Sequence, residues 1–439
     1  MLRPGISLVK CALVSSPNYW RNKSVERTHL NLSSHQKLLD RFEQTRGSTE
    51  RLLIHLSDED QCVQSMPDAS PSKWHLGHTT WFWETVVLLP HCPDYKVFNK
   101  QFHYLFNSYY ESMGPRQPRP QRGLLTRPAL SEVLAYRAHV THALVHWLSK
   151  LDSSTPENIL YLVELGINHE QQHQELLVTD ALHLFSRNPL LPKSGLNLDQ
   201  NQALHYAPSH AQWLRFDAGL CEVGHDVQAD PCFAFDNEQP RHRRWLDAFE
   251  ISSQLITCGE YLEFVQTGGY ENASLWLAEG WAWVNSSGHK APIYWLAPNG
   301  NANTSEDWKI FGVDGVIDLP MTQPVTHLNF FEADAFAQWR GARLPTEFEW
   351  EHAFTNPDIH QMVGHAWQWT RSAYEPYPGF TAWDGAIREY NGKFMVGQQV
   401  LRGSSWATPQ GHARKTYRNF FPPSASWQIT SLRLARDCK

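Results

Sequence analysis

The chain has 439 residues, 41% of them apolar and only 19% charged, with a formal net charge of −7. That length allows two or three domains with substantial cores. The acidic balance argues against a nucleic-acid or anionic-membrane partner, and no apolar run reaches the roughly 18 residues of a membrane-spanning helix.

Seven cysteines show neither a CxxC pair nor regular spacing, so reduced thiols and a cytoplasmic setting are expected. Tryptophan is frequent, at 19 residues, and aromatic rings both fill cores and cage quaternary ammonium groups. Residues 1–31 hold a mildly apolar stretch, Gly5 to Ser16, broken by Lys10 and without a convincing cleavage site; they read as a disordered extension.

Residues 32–190 read as helical. Leu38, Leu39 and Phe42, then Leu52, Leu53 and Leu56, form two apolar stripes at helical spacing with Gly47 between them. Ser57 and Asp60 have the spacing of a weak capping box. Ser70 as N-cap with Pro71 in the first turn opens a helix toward Leu89, which Pro90 and Pro93 end. Leu130 to Leu151 is amphipathic, and after Pro156 the chain restarts as a long helix containing Leu160 to Phe185. Four main helices predict a bundle, whose core is a place where side chains from facing helices build metal sites. Residues 191–212, opening on a Pro- and Gly-rich stretch, predict a linker. Residues 213–439 change texture to short strands and long loops, with one clear helical run from Asn329 to Arg340, an α+β domain with little regular structure.

The most informative segment is His169-Glu-Gln-Gln-His173 on the long helix. Histidines at i and i+4 share a helical face, so two imidazoles can bind one metal ion. Trp74-His-Leu-Gly-His78 supplies a third, with His78 on the same side as Trp74 and Trp81 or Phe82, and His75 in a packing or supporting role. Three neutral ligands leave coordination positions open. HExxH is also the zinc-peptidase spacing, with Glu170 in the general-base position, but the polar surroundings of the pair argue against that reading. Arg116, Arg119 and Arg122 recur every three residues in a proline-stiffened loop, which suits a substrate carboxylate as well as a merely solvated loop. Tyr109 and Tyr110 offer phenols that can donate a proton, although buried structural tyrosines are commoner.

Together these residues resemble the sulfoxide synthases of ergothioneine biosynthesis, over about residues 32–437. The first half resembles a DinB-like four-helix bundle through Trp74-His-Leu-Gly-His78 and Asn168-His-Glu-Gln-Gln-His-Gln-Glu175. The second resembles the formylglycine-generating-enzyme (sulfatase-modifying-factor) fold, a C-type-lectin-like α+β domain. Its marks are Pro324-Val325, Gly341-Ala-Arg-Leu-Pro-Thr-Glu-Phe-Glu-Trp-Glu351, Trp367-Gln-Trp-Thr370, Tyr377-Pro-Gly-Phe380 and Leu401-Arg-Gly403. Two motifs depart from the usual family form, at Gly364-His-Ala-Trp-Gln-Trp369 and at Gly403-Ser404-Ser405, and put local loop geometry in question.

The resemblance implies non-haem Fe(II) held by His78, His169 and His173, with dioxygen as co-substrate. It implies two small-molecule substrates: hercynine, the Nα-trimethylated betaine of histidine, and a thiol, cysteine or γ-glutamylcysteine. The reaction it implies joins the thiol sulfur to C2 of the imidazole and oxidises that sulfur to a sulfoxide. A tyrosine proton is implied to favour coupling over plain thiol oxidation, with Tyr110 the first candidate and Tyr109 the second. Gln172, Asn419 and Phe420 are implied to hold hercynine, and Arg119 and Arg122 the thiol substrate's carboxylate. The alternatives are a sibling synthase of the selenoneine or ovothiol type with another donor, a non-catalytic protein that binds hercynine and metal, and a zinc hydrolase of DinB type. A homo-oligomer is compatible with the sequence.

Overall fold

A computed structural model describes residues 34–198, 211–298 and 307–438. The extension 1–31 and residues 199–210 of the linker lie outside the described residues. The first half is helical: α1 (Ser34–Leu52), α2 (Ser72–Phe82), α3 (Leu89–His91), α4 (Phe102–Phe106), α5 (Leu130–Leu148) and α6 (Glu157–Ser186). A π-helical turn, Trp83–Leu88, joins α2 to α3 without a break. Helices α1, α2, α5 and α6 pack on one another as the expected bundle. Its core includes Phe42, Trp81, Phe82, Trp83, Val133, Val140, Leu144 and Ile167, all fully buried.

One local expectation, the Ser70 cap, is corrected. Gly47 lies within α1. Its neighbours Arg46 and Thr49 reach a buried carboxylate on α6, and these contacts offset the roughly 1 kcal/mol that a mid-helix glycine costs. Ser70 does not cap α2. Its hydroxyl accepts from Arg122 at 2.9 Å, and the helix starts at Ser72, where the Lys73 N–H is taken by the Gln61 carbonyl at 3.0 Å. The Ser57–Asp60 box does form, with reciprocal bonds of 2.9 and 3.1 Å.

The second half begins with β1 (Trp213–Phe216), β2 (Gly219–Val223), β3 (His242–Leu246) and β4 (Phe249–Ser252). It continues through α7 (Cys258–Gln266), α8 (Ala278–Ser287), β5 (Trp295–Leu296), β6 (Lys309–Gly312) and β7 (Gly315–Asp318). The remainder is α9 (Phe330–Trp339), α10 (Glu347–Ala353), β8 (Trp367–Ala373), β9 (Gln399–Gly403), β10 (Asn419–Phe421), β11 (Thr430–Ser431) and β12 (Ala435–Asp437). Sequence-readable caps start the helices: Asn329 with Glu332 opens α9, and Thr346 with Glu349 opens α10. A four-stranded sheet in the order β10-β9-β8-β11 faces the bundle, and the long connections flanking β9 carry side chains onto α6. The strands are short and the loops long, as expected of an α+β unit.

The two halves share one hydrophobic core and several polar anchors. Glu175 of α6 accepts from Trp367 Nε1 at 2.7 Å, Ser405 Oγ at 2.5 Å and Thr408 Oγ1 at 2.7 Å. Asp180 accepts from Trp427 Nε1 at 3.0 Å, and Tyr161 donates to the Ala234 carbonyl at 2.8 Å. Among the described residues no helix is long and apolar enough to cross a membrane. Cys62, Cys92, Cys221, Cys258 and Cys438 are free thiols.

Close approach at two glycines sets the bundle geometry. A Cβ on Gly166 of α6 would stand 2.5 Å from the Trp83 ring, and one on Gly77 of α2 would stand 2.2 Å from the Phe106 ring. Phe106 is itself buried and has nowhere to retreat. Gly77→Ala gains about 1 kcal/mol of helix propensity, yet overpacking of this kind costs about 1–3 kcal/mol. Net destabilisation in denaturant unfolding is therefore expected; a stabilised variant would show that Phe106 yields freely.

Candidate metal centre

Helix α6 carries two faces of opposite character around Asn168–Glu175. His169 and His173 point toward α2, and Glu170 and Gln174 point toward α1. On α2, His78 lies beneath Trp74 and Trp81, whose rings stack on it at 4.7 and 5.7 Å. Phe82 stacks on His169 at 4.2 Å. These aromatic walls leave the imidazoles little freedom to rotate.

One ring nitrogen from each of His78, His169 and His173 falls within 4.8 Å of the others, the one such group of His, Cys, Asp or Glu among the described residues. His78 Nε2 and His169 Nε2 are 3.2 Å apart. His78 Nδ1–H donates to the Phe106 carbonyl at 2.7 Å, which turns its Nε2 inward. His173 Nδ1 faces His75 Nδ1 at 2.8 Å, and His75 Nε2 faces Asp180 Oδ2 at 3.0 Å. Burial pushes the pKa of all three imidazoles down, that of His169 to about 3, and for His78 and His173 the neighbouring histidines add to the shift. Neutral imidazoles with lone pairs converging on one point are a donor set that fits a divalent first-row metal.

Glu170 takes no part in that cluster. Its carboxylate accepts from Arg46 at 3.0 Å, Arg137 at 2.6 Å, Thr49 at 2.8 Å and Trp83 Nε1 at 3.1 Å, and it is fully buried. Although burial opposes ionisation, the two guanidinium groups hold this carboxyl well below its ordinary range. A group so saturated cannot act as a general base, which removes the peptidase reading of HExxH.

The other predicted residues fall into neighbouring layers. Tyr110 is fully buried; its ring stacks on that of Tyr109 at 4.6 Å and lies 6.2 Å from that of Phe82. Burial raises the Tyr110 phenol well above its ordinary pKa and Tyr109 to about 12, so both keep their protons near neutral pH. Arg119 and Arg122 line a cavity of about 420 Å³ together with Ser108, Tyr109, Arg116 and Phe394. Arg122 is not the solvated loop residue its sequence suits. Its guanidinium lies 3.3 Å from the centre of the Trp74 ring, donates to Ser70 and Ser108 Oγ, and among the described residues leaves its buried Nε without a partner.

Gln172 is held from the C-terminal half: its amide donates to Tyr417 Oη at 2.7 Å and accepts from Tyr390 Oη at 2.5 Å. Asn419 and Phe420 stand further off on β10. The Asn419 side chain accepts the Phe420 N–H at 2.9 Å, and Phe420 stacks on Tyr374 at 4.0 Å. Among the described residues neither is hydrogen-bonded to the three histidines. Sequence reasoning missed Tyr390, whose ring lies 5.8 Å from His169, because no motif surrounds it. It also missed His412, which contacts Gln171 and Tyr417 from the loop before β10.

Comparison with known proteins agrees with this arrangement. The model of the sulfatase-modifying factor enzyme 1-like domain matches residues 203–356 and 355–438, and that of the DinB superfamily matches residues 41–177. The hercynine oxygenase of Mycolicibacterium thermoresistibile is 30% identical over 439 residues, covering 88% of this chain and 91% of that protein. The chain belongs to the hercynine oxygenase family. The hercynine oxygenase of Mycobacterium tuberculosis is 29% identical, over 92% of this chain and the whole of that protein. A fission-yeast relative (Schizosaccharomyces pombe), ergothioneine biosynthesis protein 1, is 23% identical over 47% of this chain and 28% of its own length. In this member of the hercynine oxygenase family, Glu170→Gln is expected to destabilise the metal-free protein by about 3–5 kcal/mol, because buried Arg46 loses its counter-charge and buried Arg137 keeps only the exposed Glu50. Denaturant unfolding measures it; unchanged stability would mean that the arginines find other partners.

Proposed function

We propose that this protein is an Fe(II)- and O2-dependent sulfoxide synthase that joins a thiol, cysteine in the first instance, to imidazole C2 of hercynine and oxidises the sulfur. The observation that carries the reading is the convergence of three buried, neutral imidazole nitrogens at the meeting of the two halves, one aromatic ring away from the buried Arg122 guanidinium. Membership of the hercynine oxygenase family supplies the substrate.

His78, His169 and His173 would hold the metal, which when bound would carry electrons from the thiol and the imidazole to dioxygen. The chain's own residues do the rest. Arg122, with Arg119 beside it, binds the carboxylate of the thiol substrate: a desolvated guanidinium whose hydrogen-bond partners are two hydroxyls gains a full counter-charge from that ligand. Gln172, fixed by two tyrosine hydroxyls, keeps one amide hydrogen for the hercynine imidazole. Phe420 packs 5.8 Å from Phe394 of the cavity wall, and with Asn419 it would hold the remainder of hercynine. Tyr110 is a phenol kept protonated by burial, able to give its proton to reduced oxygen and so favour carbon–sulfur coupling over simple thiol oxidation.

The test is anaerobic Fe(II) loading, then oxygen uptake with hercynine and cysteine and the mass of the product. Uptake requiring both substrates, with the mass of a coupled sulfoxide, is expected; bound iron with no uptake for any donor would overturn the reading in favour of a binding protein. Coupling with a different sulfur or selenium donor alone would move the protein to a sibling branch. His173→Ala should abolish stoichiometric Fe(II) binding, and metal retained at full occupancy would remove His173 from the ligand set. Tyr110→Phe should shift product from sulfoxide toward oxidised thiol, and an unchanged product ratio would remove its assigned role.

A further inference from the structure

We propose that His75 and Asp180 form a positioning relay that fixes which nitrogen of His173 faces the metal and ties that ligand to Arg122 and to the C-terminal half. The inference deepens the reading above and rests on it for the presence of a metal.

Proton accounting carries the argument. Asp180 has three donors aimed at it: the Ser70 N–H at 2.8 Å and His75 Nε2 at 3.0 Å on Oδ2, and Trp427 Nε1 at 3.0 Å on Oδ1. A carboxylate in that setting only accepts. The nitrogen of His75 that faces it must therefore carry a hydrogen. A neutral imidazole protonated at Nε2 has a bare Nδ1, and this bare Nδ1 stands 2.8 Å from His173 Nδ1. Two bare nitrogens at that distance would repel, so His173 must be protonated at Nδ1. Its Nε2 is then bare, available to the ion shared with His78 and His169. The opposite assignment sets a bare nitrogen of His75 against the Asp180 carboxylate and puts a hydrogen on the ligating nitrogen of His173.

His75, Asp180 and His173 are all buried, so water is poorly placed to replace a lost partner. The same carboxylate reaches further in two directions. Ser70, whose N–H it holds, presents the hydroxyl that accepts from Arg122 at 2.9 Å. Trp427 comes from the segment just before β11 in the C-terminal half. One carboxylate thus links a metal ligand, the carboxylate-binding arginine and the neighbouring unit. Neither residue touches substrate in this scheme; both act through His173 and Arg122.

The test uses the full chain and Co(II), whose absorption reports ligand number and geometry, with metal-free thermal unfolding as control. His75→Phe keeps the ring shape but removes the acceptor, and should weaken Co(II) binding by about 10–100-fold with an altered spectrum. His75→Gln, which can offer a carbonyl oxygen to His173 Nδ1–H, should recover most of the affinity. Co(II) binding by His75→Phe with wild-type affinity and spectrum would overturn the relay. A measurement on unmutated protein decides it if that variant fails to fold: two-bond nitrogen–hydrogen correlations with 15N-labelled histidine should find His75 protonated at Nε2 and His173 at Nδ1. The reverse pair of tautomers would overturn the relay. Wild-type protein that takes up neither Co(II) nor Fe(II) removes the metal reading itself, while the tautomers still decide the relay.

Discussion

The rotation of α6 about its own axis is the constraint on which the site depends, and two carboxylates, Glu170 buried and Glu175 half-buried, set it. Glu170 is locked by Arg46 and Arg137 on the bundle side, and Glu175 by Trp367, Ser405 and Thr408 on the C-terminal side. A carboxylate in a low-dielectric interior costs several kcal/mol unless its partners are in place. Turning α6 by even part of a residue would strip both groups of those partners at once. With the helix so held, His169 and His173 point at α2.

Charge is distributed unevenly around that axis. The bundle side of α6 carries a compensated set of fixed charges, Glu170 against two arginines. The cluster side carries neutral imidazoles with Arg122 close by, and burial together with Arg119 and Arg116 pushes the pKa of that guanidinium down. The cavity beside Tyr109 is lined by three guanidinium groups, Arg116, Arg119 and Arg122. Neutral ligands leave a divalent ion its full charge, and a neighbouring guanidinium draws a carboxylate toward the same place. The C-terminal half contributes mainly tyrosines and a histidine through its loops, and these hold the amide of Gln172 from the far side.

The two glycines at Gly77 and Gly166 show how packing and chemistry are joined. Each lets an aromatic ring rest on helix backbone. At Gly77 the ring belongs to Phe106, whose carbonyl orients His78, so a steric requirement one residue away fixes the direction of a site nitrogen.

Much of this was legible in the chain itself. The i, i+4 pair at His169 and His173 announced a shared face, because helical periodicity depends on sequence alone. The long helix after Pro156 and the helical run from Asn329 were readable for the same local reason. What the sequence could not say is where a side chain points once several helices compete for it. Glu170 sits in a motif that suggests a general base, yet two arginines more than thirty residues away claim it. Arg122 and Ser70 read as a solvated loop and a helix cap, and instead they bond each other, since burial rewards the partner that is nearest in space. Tyr390 and His75 acquire their contacts only across the fold. The sequence by itself determined the main helices of the bundle and the candidate ligands, which rest on periodicity within a few residues; the tertiary structure alone decided which nitrogens converge and which carboxylates are spent on holding them, because those choices depend on desolvation and long-range pairing.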